Sequence, residues 1–94
     1  MQEKSVAESD LFATIALMPK EFLTDKDLAA LAKRLRTRAG KKRAAAARDM
    51  DVSQTSIFNA EESPERGLSK LRAKMIETYS PFQVVGPVYF LQRK

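Results

Sequence analysis

A chain of 94 residues with 44% hydrophobic content suits one small domain with a modest core and leaves little room for a second. It has no cysteine and no histidine, which excludes disulfides, thiolate and imidazole metal sites, and the Ser/His and Cys/His dyads of hydrolases. The net charge of +5 is unevenly placed: residues 31–50 hold eight basic side chains and one acidic, while 1–30 and 51–66 are each net −3. Such a band is a footprint for phosphate, the plainer alternative being a solvated helix face.

In chain order, ESDLFATIALM at residues 8–18 places Leu11, Ile15 and Met18 at i, i+4, i+7, with Ser9 or Asp10 as N-cap and Pro19 as a stop, which predicts a short helix. Its apolar run LFATIALM covers only eight residues, follows Glu8 and Asp10 and lacks a cationic leader. Neither a signal peptide nor a membrane span is expected, and the protein reads as cytoplasmic. Thr24 or Asp25 can cap a second helix, in which Leu28, Leu31 and Leu35 form the apolar face while Lys33, Arg34, Arg36 and Arg38 take other faces. Gly40 ends it.

KKRAAAARDM resumes as a third short helix, its four alanines admitting a close neighbour, and Asp51 interrupts it. Ser53 can cap a further helix running to about Glu62, with Ile57 and Ala60 facing inward; Pro64 and Gly67 mark a loop. A last helix from about Leu68 to Tyr79 carries Leu68, Leu71 and Met75 at i, i+3, i+7 with Ile76 on an adjacent row, and Pro81 ends it.

The tail QVVGPVYFL, residues 83–91, is β-branched and aromatic without helical spacing, and reads as one extended strand broken or bulged at Gly86 and Pro87. A lone strand needs a partner for its backbone groups. The simplest partner is a second copy, which makes Val84, Val85, Val88, Tyr89, Phe90 and Leu91 a homodimer ribbon. The alternative is that the tail folds back as an irregular cover over its own helices. The expected fold is mainly α, one domain over 1–94: a helical extension at 1–22, a bundle over 23–80, and one strand over 81–94 pairing across a dimer.

Residues 43–62, RAAAARDMDVSQTSIFNAEE, have the spacing of a helix-turn-helix. Ala47 sits where two helices touch and only a small residue fits, while Val52 at the turn exit and Ile57 on the second helix supply the apolar contacts that set the angle. With Leu35, Arg36, Gly40, Ser53, Ser56 and Glu61 at matching places, residues 27–79 resemble the lambda repressor and Cro-like (XRE-type) family of DNA-binding domains. Three positions depart from the family pattern. Asp51 replaces the turn glycine, though Asp tolerates a left-handed backbone; Arg43 replaces a glutamine that commonly opens its helix; and Ser63 replaces the glycine that usually ends the recognition helix.

Carried over position by position, the resemblance implies a lambda repressor-like bundle of four to five helices in which Gln54, Thr55 and Asn59 face the DNA major groove. Gln and Asn can make paired hydrogen bonds to adenine, and the Thr methyl can touch a thymine methyl. Arg38, Lys41, Lys42, Arg43 and Ser53 fall where phosphate contacts are expected. Phe58, out of phase with Ile57, has no place in the pattern.

The function implied is a dimeric, sequence-specific transcriptional repressor of double-stranded DNA, reading a palindromic operator with half-sites roughly 34 Å apart. The alternative is an antitoxin that neutralises a toxin protein and autoregulates its operon, since some antitoxin-like members of the family carry a C-terminal strand at the dimer interface. Neither role calls for catalytic residues, a metal or a cofactor, and none is expected.

Overall fold

The computed structural model describes residues 23–86 and 90–94. The helix expected at 8–18, the extension 1–22, and Val88 and Tyr89 of the tail lie outside them. The described residues form four α-helices, α1 (Asp25–Arg38), α2 (Arg43–Met50), α3 (Gln54–Glu62) and α4 (Ser69–Tyr79), followed by strands β1 (Phe82–Val85) and β2 (Phe90–Arg93). The fold is therefore mainly helical with a small antiparallel sheet. Among these residues no helix is long and apolar enough to cross a membrane.

Local chemistry sets the helix ends. Thr24 Oγ1 accepts from the Asp27 N–H at 3.2 Å while the Asp27 carboxylate accepts from the Thr24 N–H at 2.9 Å, a reciprocal capping box that starts α1. At its other end Gly40 is left-handed at φ +73, with Gly40 N–H bonded to Thr37 O and Lys41 N–H to Arg36 O. The end of α2 repeats the same pair of bonds, Asp51 N–H to Arg48 O and Val52 N–H to Ala47 O, but here Asp51 holds the left-handed position at φ 59 and ψ 48. An aspartate thus makes the tight turn into α3, in a left-handed conformation that ordinarily favours glycine.

The core joins Leu28, Leu31 and Leu35 of α1, Ala46 and Met50 of α2, Ile57 and Ala60 of α3, and Met75 and Ile76 of α4, each no more than 2% exposed. Burying each of the larger side chains contributes about 1.5–3 kcal/mol. Ala46 and Ala47 are both buried, as the alanine run suggested. Val52 departs from expectation: it is 37% exposed, because the left-handed Asp51 carries the chain outward, and Met50, Ile57 and Ala60 hold α2 against α3 without it.

Three charged side chains are buried with this core: Arg36, Glu61 and Arg72. Arg36, read from sequence as lying off the apolar face, instead reaches Glu61 through Nε and Nη2 at 2.5 and 3.0 Å and the Lys41 carbonyl through Nη1 at 2.7 Å. Glu61 has a completely buried side chain, and that partner is the reason for the correction.

The tail is also corrected. It forms two strands, not one, and they pair with each other in the register Val84 to Leu91 and Val85 to Phe90. Gly86 follows β1 directly as a turn, which lets the chain reverse and satisfy its own backbone. Phe82, Val84 and Leu91 pack against the core, so the hairpin covers the bundle, closer to the fold-back alternative but regular. Lys94 pins its end, Nζ donating to the Glu77 and Ser80 carbonyls at the C-terminus of α4.

Candidate functional site

Helices α2 and α3 are joined by Asp51, Val52 and Ser53, all three exposed. Ser53 caps α3, its Oγ accepting from the Ser56 N–H at 3.1 Å. Ile57 and Ala60 take the inner row of the helix, leaving Gln54, Thr55 and Phe58 exposed and Asn59 half-buried on the outer one. A shallow groove at the junction is lined by Ala44, Ala47, Arg48, Asp51, Val52, Ser53 and Gln54.

The charge on α3 is polarised. Its first turn carries no acidic residue, whereas Glu61 and Glu62 stand at its C-terminus, where the helix dipole is already negative. Cations from two other helices gather there. Arg43 donates Nε to Glu61 at 3.1 Å and Nη2 to Glu62 at 2.9 Å, and Lys33 Nζ lies 2.7 Å from Glu62. The Lys33 bond foremost, then Lys33 and Arg43 charge, holds the Glu62 carboxyl below its ordinary range. The acidic end of α3 is thereby neutralised, and its neutral, polar beginning faces solvent.

The residues expected to meet phosphate divide into three kinds. Lys42 is exposed with no ion pair among the described residues. Lys41 lies 3.5 Å from the Asp49 carboxylate, and Arg38 is half-buried at the end of α1. Arg43 is held by the two glutamates and stacks over the Phe58 ring at 4.9 Å from its centroid, while the Ser53 hydroxyl serves as the helix cap. Arg48, absent from that set, is exposed beside the groove and adds a cation; the exposed Asp51 opposes it with an anion.

The stacking also gives Phe58 a place that sequence reasoning missed. The available signal was the spacing of a charged side chain one helix away, which only the fold converts into contact. Of the residues expected in a dimer ribbon, Val84 and Leu91 face the core and Val85 is half-buried in the hairpin. No protein-family model, curated protein or solved structure matches the chain. Among the described residues no group of acidic side chains is arranged to hold a metal ion.

Proposed function

We propose that this protein is a sequence-specific DNA-binding regulator of the lambda repressor-like kind, with α2 and α3 as its helix-turn-helix and α3 as the helix that enters the major groove. The observation that carries the reading is the polarity of α3. Its exposed face begins with Gln54, Thr55 and Asn59; its one exposed carboxylate, Glu62 at the far end, is paired by Lys33 and Arg43, and Glu61 is buried against Arg36 and Arg43. A groove-reading helix needs this arrangement, since an unpaired carboxylate near phosphate is repelled. Lys42, Lys41 and Arg48 flank the face as phosphate contacts.

The reading includes a homodimer. The N–H groups of Phe82 and Val84 turn away from β2 and are taken by the Ser80 hydroxyl at 3.2 Å and the Glu77 carboxylate at 3.1 Å, which closes the outer edge of β1. Alternation along the hairpin then directs the N–H and C=O of Leu91 to the outer edge of β2. That edge is where a second copy would add, and Leu91→Pro blocks it without removing a bond inside the hairpin.

Selection of bound sequences from random duplex DNA tests the whole. Enrichment of a two-fold site is expected; Gln54→Ala or Asn59→Ala should relax preference at single positions by about 1–3 kcal/mol. Lys42→Ala should weaken binding to every sequence and lower the salt slope by about one, whereas Arg43→Ala should leave that slope near its wild-type value. A pool that enriches nothing would sink the proposal.

A further inference from the structure

The large hydrophobic side chains exposed among the described residues are Phe58, at 46%, and Val52, at 37%. Both belong to the surface that carries Gln54 and Thr55. Phe58 stands four positions after Gln54 and three after Thr55, one turn along the same face of α3, and Val52 immediately precedes the N-cap. The core assigns neither a role.

Phe58 is held in place. Arg43 covers one face of its ring, and Arg43 is in turn fixed by Glu61 and Glu62. The ring is therefore presented to solvent in a set orientation, and a pre-organised apolar group loses little freedom on binding. Its neighbourhood decides what it can meet. A purely apolar partner would have to strip water from Lys42 and Arg48 with no compensating charge. A polyanion that displays separate methyl groups matches both the cations and the two isolated hydrophobic side chains.

Resting on the DNA-binding reading above, we infer that Phe58 and Val52 contact thymine 5-methyl groups in the major groove, so that the protein reads methyls as well as hydrogen-bonding edges. Thymine offers that methyl there beside its O4 acceptor, and an apolar side chain is its natural contact.

The test uses the full chain and the duplex enriched by selection, with thymines replaced one at a time by uracil, which removes the methyl and keeps every hydrogen-bonding group. Binding to one or two of the substituted positions in each half-site should fall about 3- to 10-fold, in line with the burial of one methyl and its packing. Phe58→Ala should bind the thymine and uracil duplexes at one of those positions equally, and Val52→Ala should do so at another. If wild-type protein binds all the uracil duplexes as tightly as the parent, the inference is overturned while DNA recognition stands. If neither variant loses the methyl effect, the assignment to these two residues is overturned. If no duplex is bound above background, both the inference and the function beneath it fall.

Discussion

Arg72, buried at 0% exposure on α4, donates its Nε to the carbonyl of Ala60 at 2.8 Å and so closes the C-terminal end of α3 from inside the protein. Its Nη2 reaches the Ser63 carbonyl at the same distance. Ser63 stands at a helix end that often takes glycine, and the arginine supplies by side chain the bond to the Ala60 carbonyl that a glycine turn would make through backbone.

Arg72→Met keeps most of the volume but leaves the Ala60 carbonyl open, while the Ser63 carbonyl keeps its bond from the Arg66 N–H, and Arg72→Ala adds a cavity. Losses of about 2 and about 4 kcal/mol are expected, from an unsatisfied acceptor and then from lost packing. Urea denaturation followed by circular dichroism measures both. Equal stabilities for the two variants and wild type would show that the Ala60 carbonyl finds another donor.

The Arg36 and Glu61 pair is coupled through burial. Glu61→Leu alone strands a buried guanidinium, and a cost of about 3–5 kcal/mol is expected. Arg36→Met combined with Glu61→Leu should recover most of that loss, because two apolar side chains of similar volume avoid desolvating two charges. A double variant no better than the single would place the cost in Arg43, which also bonds Glu61.

Asp49 and Tyr79 bring a dependence on pH. The Tyr79 hydroxyl donates to Asp49 at 2.7 Å, and this bond, more than the neighbouring Lys41, holds the Asp49 carboxyl below its ordinary value. Stability from a depressed acid is present above its unfolded value, about 3.9, and is lost as pH falls through the folded one. For Tyr79, burial first and then Asp49 push the phenol upward, so its contribution is full below about pH 10 and is lost as pH rises through the folded value. Tyr79→Phe should flatten the stability profile at both extremes. In the same variant the Asp49 carboxyl, followed by carbon NMR, should titrate higher; an unmoved midpoint would count against the hydrogen bond.

Asp51 at φ 59 carries the cost of a left-handed backbone that glycine avoids. Asp51→Gly is expected to stabilise by about 0.5 kcal/mol after the added freedom of the unfolded chain is subtracted, and Asp51→Val to lose more than about 1 kcal/mol. The glycine variant also removes an anion beside the proposed phosphate contacts, so its DNA affinity should rise equally for all sequences.

The four described helices were legible because their ends are written locally, in Thr24, Gly40, Ser53 and Pro81, and their inner faces in spaced leucines, alanines and Ile57. What escaped reading was the set of buried charges, although each stands on an apolar row of its own helix: Arg36 four after Ala32, Glu61 four after Ile57, Arg72 four before Ile76. A charge in such a row signals a buried partner, yet the partners come from other helices, and spacing along one helix carries no record of them. The tail failed differently. Its composition shows strand, and Gly86 and Pro87 read in the sequence as a break in one strand, whereas Phe82–Val85 and Phe90–Arg93 form two strands that pair with each other. The polar start of α3 is readable in the sequence, while the pairing of Glu61 and Glu62 by Lys33 and Arg43 of other helices is not.

The closure of β1 by Glu77 and Ser80 bears on how far this chain can associate with itself. A hairpin with two open edges can accept a copy on each side and continue without limit, as fibrils do. In the proposed dimer, strand addition has a single place to occur, and when two such places meet, each is used up. Association through the sheet is then self-limiting at two, and Glu77→Ala, by reopening the second edge, should convert a finite assembly into one that grows with concentration.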